Sequence, residues 1–196
     1  MLFMEYLILG WKEVYNLTLQ LSERISESGF TPDLIVGIAR GGWIPARILS
    51  DVLYANAMFN VRIEYYSDVG IRGKEPTVTQ PLSIPIDEKK ILLVDEVSDT
   101  GESLQHAVEY LKGLGAKEIK TAVLHLKPNS CVTPDFYMQT VDAWTVYPWE
   151  LRESIISLVK KFKEEEPESN MKRIRDKLVF EVGFEPTVTD YFIKRL

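Results

Sequence analysis

Two short apolar runs, each followed by a glycine-containing turn and a helical pattern, constrain the fold of this chain more than any other feature. The first run spans Asp33–Ile38 and leads into the turn Arg40–Gly42. The second spans Lys90–Val94 and leads into a helix that begins near Glu102. Short β-branched runs of this kind are typical of buried strands, and their alternation with helices favours a parallel sheet. The sequence therefore predicts an α/β fold with a parallel sheet and helices on both faces.

Hydrophobic periodicity extends this pattern along the chain. The further predicted elements are a helix over residues 11–28, strands over 58–66 and 117–126, short strands and aromatic loops over 134–149, and a helix over 151–165. Residues 67–84 differ from these elements because they are rich in glycine, proline and polar residues. They predict a long loop, and a loop of this length within a compact domain is usually functional.

Composition excludes several classes of function. The 196 residues are enough for one α/β domain with a sizeable core and a small appendage. The net charge of −6 argues against a nucleic-acid-binding protein, and no run of about 18 apolar residues predicts a membrane span. The single Cys131 excludes a disulfide within the chain, and His106 and His125 lack metal-ligand spacing. Because the start has no basic leader or cleavage pattern, we expect a cytoplasmic protein.

The stretch from Ile91 to Leu104 is the most informative for chemistry. Its apolar strand delivers two acids, Asp95 and Glu96, at the carboxyl end, where open α/β sheets bind ligands. The turn at residues 99–103 then opens a helix, whose N-terminus offers backbone amides and a positive dipole end. We therefore expect the turn to hold a phosphate and the two acids to bind sugar hydroxyls or a magnesium ion.

The residue types within this turn support a phosphate site but also allow a simpler interpretation. Thr100 and Ser103 add hydroxyl donors, and Gly101 lets a phosphate approach the backbone. The alternative is helix capping, in which Asp99 or Thr100 caps the helix and Glu102 or Ser103 completes a capping box. The whole run of strand, paired acids and turn is much rarer by chance than the turn alone.

The same run resembles the signature of the type I phosphoribosyltransferases that binds phosphoribosyl pyrophosphate (PRPP). The resemblance implies that Asp95 and Glu96 hold the ribose hydroxyls and help to bind Mg²⁺, and that residues 99–103 wrap the 5′-phosphate. It also implies that Asp99 is the catalytic residue, which handles a proton at the base. Glu96 stands where the purine enzymes usually have Asp, which keeps the charge and lengthens the side chain.

The first glycine turn adds to the resemblance. Arg40 is a permanent cation that can fork onto phosphate oxygens, and Gly41 and Gly42 allow close backbone approach. Taken alone, these residues also fit an ordinary strand-to-helix turn. The sequence from Ala39 to Leu49 is similar to that of the xanthine–guanine members of the family, which implies that Arg40 and Gly41 bind pyrophosphate.

A flexible catalytic loop of the family corresponds in position to residues 67–84. On this interpretation Ser67, Arg72 and Lys74 would close over the pyrophosphate. A solvated surface loop is the alternative, because the interpretation depends on position alone.

Two further segments resemble the base-binding part of the xanthine–guanine enzymes. Lys127 follows a predicted strand and by resemblance contacts the purine 6-oxygen, which favours a 6-oxopurine over adenine. The aromatic run that follows implies that Trp144 stacks on the base and that Glu150 meets the 2-position. Thr145 and Val146 would offer backbone groups to the base. The alternatives are a surface lysine, aromatic residues in a core or interface, and a helix that begins at Glu150.

Together, these resemblances imply an enzyme of purine salvage that uses PRPP and Mg²⁺ to convert xanthine, guanine or hypoxanthine. The alternatives are a non-catalytic PRPP- or nucleotide-sensing regulator of the same fold, and a phosphoribosyltransferase for adenine or a pyrimidine. Residues 1–165 are predicted to form the catalytic domain, with a base-binding hood at 127–150, and residues 166–196 a C-terminal extension. We expect a homodimer or homotetramer that binds neither nucleic acid nor membrane.

Overall fold

A computed structural model of the chain describes residues 5–55, 57–68 and 71–196, without the side chains of residues 65–75. These residues form two units, one comprising Lys12–Val141 and the other Asp142–Leu196 with the N-terminal segment up to Trp11. In chain order the elements are β1 (Tyr6–Ile8), α1 (Trp11–Glu27), β2 (Leu34–Ala39), α2 (Trp43–Val52), β3 (Met58–Asp68), β4 (Ile71–Gln80), β5 (Lys90–Ser98), α3 (Glu102–Gly113), β6 (Glu118–Leu126), β7 (Phe136–Thr140), β8 (Trp144–Val146), α4 (Leu151–Glu165), α5 (Met171–Lys177), a π-helical segment (Leu178–Val182) and α6 (Pro186–Ile193).

A six-stranded sheet in the order β4-β3-β2-β5-β6-β7 forms the centre of the larger unit. Neighbouring strands are parallel except for β3 and β4, which are antiparallel. In the central pair, Val36 of β2 lies beside Leu93 of β5. This mostly parallel sheet confirms the predicted α/β fold, and the two apolar runs that predicted it are the two central strands.

Helices cover both faces of this sheet, as predicted, because its central strands are apolar on both sides. Val36 and Leu93 share a buried core with Leu104 of α3. On the next strand position, a Cβ added to Gly37 would lie 3.1 Å from the Cβ of Ala46 in α2. Successive strand residues point to opposite faces, so α2 and α3 lie on opposite sides of the sheet. Burial of both faces explains why β2 and β5 are continuous apolar runs.

The predicted helices begin and end close to the residues expected from the sequence. α1 ends at Glu27, and α4 spans Leu151–Glu165. Gly29 follows α1 with a φ of 75°, a left-handed conformation that glycine adopts at little cost. Within the part of the chain that the structure describes, no helix is long and apolar enough to cross a membrane.

Much of the loop predicted at residues 67–84 is in fact the strand β4, so this part of the prediction is wrong. β4 pairs antiparallel with β3 and places Ser67 opposite Arg72. Proline and polar residues are tolerated in β4 because it is the edge strand of the sheet. Residues 69–70 lie outside the described residues, as do the side chains of Ser67, Arg72 and Lys74. The catalytic role of these side chains stays a prediction.

The smaller unit has its own sheet and its own core. β1 and β8 form a two-stranded parallel sheet. Val146 of β8, Leu158 of α4, Ile174 of α5 and Phe184 belong to one buried apolar cluster. The C-terminal residues 166–196 therefore share their core with α4 and β8.

Phe184 and Phe180 offer a matched test of this shared core. Phe184 is 2% exposed, whereas Phe180 is 79% exposed. We expect Phe184→Ala to lower the free energy of unfolding by about 3–5 kcal/mol, because it leaves a cavity in the cluster. Phe180→Ala should change it by less than about 0.5 kcal/mol. Urea denaturation followed by circular dichroism measures both values, and equal effects of the two substitutions would contradict the shared core.

Candidate functional site

The predicted site residues of the larger unit lie at one edge of its sheet, where three neighbouring parallel strands end. β2 ends at Ala39, β5 at Ser98 and β6 at Leu126. Open parallel sheets bind their ligands at this carboxyl edge. The predicted residues at the ends of these strands, in the loops after them and in the first turn of α3 are Arg40, Gly41, Asp95, Glu96, Asp99, Thr100, Gly101, Glu102, Ser103 and Lys127.

The turn between β2 and α2 packs directly against the end of β5. A Cβ on Gly42 would lie 2.6 Å from a backbone carbonyl oxygen of β5 and 2.8 Å from the Cα of Asp95. A Cβ on Gly41 would overlap the carboxylate of Glu96. Close approach to backbone therefore requires glycine at Gly42, whereas a side chain at Gly41 would only displace the flexible carboxylate of Glu96. The contact at Gly42 holds the turn that carries Arg40 next to the two acids.

Asp95 and Glu96 place two carboxyl groups side by side at the end of β5. The Glu96 N–H donates a hydrogen bond of 2.9 Å to Asp95 Oδ1. Burial and the charge of Glu96 raise the pKa of Asp95 well above its usual range, although backbone hydrogen bonds from Glu96 and Gly42 act in the opposite direction. When both groups are ionised, the pair therefore carries an unfavourable electrostatic interaction that a bound cation would relieve.

This pair suits Mg²⁺, which binds oxygen ligands and commonly uses one or two protein carboxylates together with waters and substrate phosphates. Among the described residues, no group of three or more His, Cys, Asp or Glu side chains is arranged to hold a metal ion. Asp95 and Glu96 therefore fit a Mg²⁺ ion that a phosphorylated substrate helps to hold. They do not fit a metal ion bound by the protein alone.

The turn between β5 and α3 presents a helix N-terminus at the same edge. The N-cap residue of α3 is Gly101, whose φ of 86° is a left-handed conformation that favours glycine. The N-cap is thus neither Asp99 nor Thr100, the residues that the capping alternative places there. The Thr100 hydroxyl accepts a long hydrogen bond of 3.4 Å from the Glu102 N–H. A helix N-terminus with exposed polar residues beside it is a ready anion site.

A loop at the start of the predicted base-binding hood packs against this turn, a contact that was not predicted. We call residues 127–132 the bracing loop. The Cys131 N–H donates to the Thr100 carbonyl oxygen at 2.7 Å, and the hydroxyl oxygens of Ser98 and Ser130 lie 2.8 Å apart. Sequence patterns do not indicate such a loop, because its contacts use backbone groups and two ordinary serines.

Lys127 stands at the start of the bracing loop, next to the buried His125 of β6. Burial and the charge of Lys127 lower the pKa of His125 to about 4, so its imidazole is neutral at neutral pH. The Lys127 N–H donates to the Ser98 carbonyl oxygen at 2.9 Å, which keeps the lysine beside the end of β5. Lys127 thus brings a positive charge to the edge where the acids lie.

The remaining predicted site residues lie in the smaller unit, between the start of β8 and the start of α4: Trp144, Thr145, Val146 and Glu150. Trp144 is 39% exposed, so part of its ring is accessible. Val146 is buried, and its carbonyl oxygen accepts a hydrogen bond of 3.0 Å from the Leu9 N–H. Glu150 Oε1 accepts a hydrogen bond of 2.9 Å from the Tyr147 N–H, which closes a turn before α4.

Two features that hold this run in place were not predicted. The first is β1, whose three residues Tyr6–Ile8 pair with β8 and are too few for periodicity to identify. The second is a group of aromatic rings. Trp149 stacks on Tyr147 with centroids 5.0 Å apart and lies 5.8 Å from Trp11 in a tilted arrangement. Both features fix the backbone of the predicted base-binding run.

The edge of the larger unit combines groups that suit a phosphorylated sugar. A helix N-terminus binds an anion, a pair of carboxyl groups binds hydroxyls or a cation, and the glycine turn adds the permanent charge of Arg40. Groups of these types can stabilise negative charge on a phosphate and bind sugar hydroxyls without a covalent bond to the protein.

The chain is similar to phosphoribosyltransferases over most of its length. The family model described as "Phosphoribosyl transferase domain" matches residues 8–154. Xanthine phosphoribosyltransferase 1 of Saccharomyces cerevisiae is 30% identical, over 74% of this chain and 90% of the yeast protein. Hypoxanthine-guanine phosphoribosyltransferase of Schizosaccharomyces pombe is 31% identical, over 74% and 88%. The crystal structure of purine phosphoribosyltransferase from Pyrococcus horikoshii matches with a TM-score of 0.68 and 39% identity, over 75% of this chain and 95% of that chain.

The substitution Asp95→Asn tests the electrostatics of the carboxyl pair. Because the pKa of Asp95 is raised in the folded protein, the folded state binds more protons than the unfolded chain above the unfolded pKa of about 3.9. This group therefore makes stability fall as the pH rises from that value towards the folded pKa. An asparagine does not ionise, so we expect the variant to melt at a higher temperature than the parent at about pH 8, and to gain little at about pH 4.

Melting temperatures measured in EDTA by differential scanning calorimetry would test this expectation. Asp51→Asn is the control, because Asp51 is an exposed residue of α2 and should have little effect at either pH. A loss of stability in Asp95→Asn near pH 8 would contradict the electrostatic account.

Proposed function

Since this chain belongs to the phosphoribosyltransferase family and is an enzyme of that family, we propose that it transfers the 5-phosphoribosyl group of PRPP to a 6-oxopurine. Pyrophosphate is the second product. One observation carries the proposal: the turn with Arg40, the pair Asp95 and Glu96, and the turn at residues 99–103 meet at one sheet edge. PRPP offers a matching set of groups in its pyrophosphate, its ribose hydroxyls and its 5′-phosphate.

The 5′-phosphate would bind at the N-terminus of α3. Thr100 and Ser103 supply hydroxyl donors, and Gly101 brings the backbone close to the anion. This phosphate does not react. Its binding therefore orients the ribose, which lowers the entropic part of the barrier.

Asp95 and Glu96 would accept hydrogen bonds from the ribose 2′- and 3′-hydroxyls and hold Mg²⁺ together with PRPP. Bound there, Mg²⁺ supplies positive charge that offsets the charge of the pyrophosphate. Arg40 is exposed in the adjoining turn and offers forked donors to the same group. Gly41 would let the backbone approach the pyrophosphate as well.

The charge of Lys127 supports a 6-oxopurine as the acceptor. An ammonium group donates to the 6-oxygen of xanthine, guanine or hypoxanthine, whereas it repels the donor hydrogens of the adenine 6-amino group. The names of the two fungal relatives, xanthine and hypoxanthine-guanine phosphoribosyltransferase, refer to bases of this class.

The aromatic run of the smaller unit supports the same class of base. The accessible ring of Trp144 would stack on the purine, and backbone groups at Thr145 and Val146 would meet its edge. Glu150 would contact the 2-position. One of its oxygens already accepts the Tyr147 N–H, so this contact would use the second carboxylate oxygen.

During transfer, the bond from C1′ to pyrophosphate breaks while a ring nitrogen of the base bonds to C1′. Positive charge develops on the ribose, and negative charge develops on the leaving group. Arg40 and the backbone amides near it stabilise the leaving group as preorganised donors. We call the turn at residues 99–103 the phosphate turn. Asp99 is exposed at its beginning and would accept the proton that the purine loses.

The wider setting follows from this activity. The enzyme would act in purine salvage in the cytoplasm, as a homodimer or homotetramer. The net charge of −6 supports a protein that does not bind nucleic acid. Residues 1–165 would form the catalytic domain, with the base-binding hood at 127–150, and residues 166–196 would be its extension.

A pyrophosphate-release assay with PRPP and Mg²⁺ tests the proposal directly. The bases are guanine, xanthine, hypoxanthine, adenine, uracil and orotate, each supplied alone. We expect turnover with one or more of the three 6-oxopurines, because Lys127 favours a 6-oxygen. Turnover with adenine or a pyrimidine alone would overturn the assignment of the base site. PRPP binding without turnover of any base would identify a regulator of the same fold.

Asp99→Asn tests the proposed proton acceptor. We expect kcat to fall by about 100-fold or more, because the amide cannot accept the proton, while the KM for PRPP stays within about threefold. Asp51→Asn again serves as the control, with parental kinetics expected. Steady-state rates at saturating base provide both constants, and a kcat equal to that of the parent would remove Asp99 from the mechanism.

A further inference from the structure

We propose that Ser130 is a positioning residue, which holds the turn at residues 99–103 in the geometry that binds phosphate. Ser130 lies in the bracing loop, within the predicted base-binding hood at residues 127–150, but no role was predicted for it. The inference rests on the proposed function, because that proposal assigns the 5′-phosphate of PRPP to this turn. Ser130 itself would not touch the substrate.

The hydrogen bonds of Ser130 connect the end of β5 to the bracing loop. Its hydroxyl donates to the Val132 carbonyl oxygen at 2.8 Å. A serine has one hydroxyl proton, so while Ser130 donates to Val132, the 2.8 Å contact with Ser98 is a hydrogen bond that Ser98 donates. Ser98 is 2% exposed, and a buried hydroxyl without its acceptor is costly. The last residue of β5 therefore depends on Ser130.

The same hydroxyl also lies against the N-cap of α3. A Cβ on Gly101 would be 2.6 Å from Ser130 Oγ and 3.0 Å from the Val132 nitrogen. On the preceding residue, the Thr100 carbonyl oxygen accepts the Cys131 N–H at 2.7 Å. The bracing loop thus contacts the turn at two successive residues and prevents the backbone amides of the turn from moving in its direction.

The bracing loop also begins with the proposed base-binding cation. The Ser98 carbonyl oxygen accepts the Lys127 N–H at 2.9 Å, and the Lys127 carbonyl oxygen accepts the Ser130 N–H at 3.1 Å. Ser98 and Ser130 are therefore bonded to each other through their hydroxyls and to Lys127 through the backbone. The same set of hydrogen bonds therefore holds both the phosphate turn and the backbone of Lys127.

Ser130→Ala, Ser98→Ala and the double variant test the proposal. We expect each single substitution to raise the Kd for PRPP and for ribose 5-phosphate by about tenfold, because each removes the same hydrogen bond. The double variant should show about the same Kd as one single variant, since the two sites act as a unit. The KM for PRPP should rise in parallel while kcat stays within about twofold, because the 5′-phosphate keeps the same contacts in bound PRPP and in the transition state.

The matched control is Thr133→Ala, an exposed residue just beyond the bracing loop, for which parental constants are expected. Isothermal titration calorimetry with Mg²⁺ gives Kd for both ligands, and melting temperatures report on folding. A lower melting temperature with an unchanged Kd would overturn the proposal, since that is the result of a purely structural role. Additive effects in the double variant would overturn it as well.

Binding and turnover separate this inference from the proposed function. Turnover of a 6-oxopurine by the parent with an unchanged Kd in both single variants would refute the role of Ser130 alone. No turnover by the parent, together with the expected change in Kd, would refute the proposed function and leave the role of Ser130 supported. A parent that does not bind PRPP or ribose 5-phosphate would refute both.

Discussion

The close packing of the β2–α2 turn against the end of β5 is the constraint on which the candidate site depends. Parallel pairing places Gly37 beside Val94, so the two strands end next to each other. The absence of a side chain at Gly42 then lets the turn touch the backbone of β5. This contact between backbone segments brings the turn that carries Arg40 close to the two acids, and packed backbone cannot rotate away as a side chain can. The backbone at Arg40 owes its place next to the two acids to this contact.

The two adjacent acids make an unfavourable electrostatic contribution to the stability of the ligand-free protein. Two acids are adjacent in sequence, and the carboxyl group of Asp95 is poorly hydrated. The burial of apolar residues in the neighbouring strands stabilises the fold and offsets this contribution. A ligand that brings positive charge or hydroxyl donors to the pair recovers part of the free energy as binding energy. The acids therefore weaken the empty fold and strengthen the occupied one, as functional residues commonly do.

Sequence predicted those parts of the molecule in which local chemistry and tertiary structure agree. β2 and β5 were predicted because burial of both faces makes them continuous apolar runs. The phosphate turn was predicted because acids, hydroxyl residues and a glycine follow a predicted strand. β4 was missed because an edge strand tolerates the proline and polar residues that are typical of a loop. β1 is too short for periodicity, and the bracing loop acts through backbone groups that any residue possesses. No pattern marks the cis peptide bond between Ala39 and Arg40 either.

The two hydrophobic cores have a consequence for how such an enzyme can change over time. The carboxyl pair and the phosphate turn are supported by the core of the larger unit, whereas Trp144 and Glu150 flank a strand whose Val146 belongs to the core of the smaller unit. Substitutions among the C-terminal helices alter packing around that strand. They leave intact the sheet that carries the carboxyl pair and the phosphate turn. On the proposed function, natural selection could therefore vary the choice of base without changing the residues that would bind PRPP.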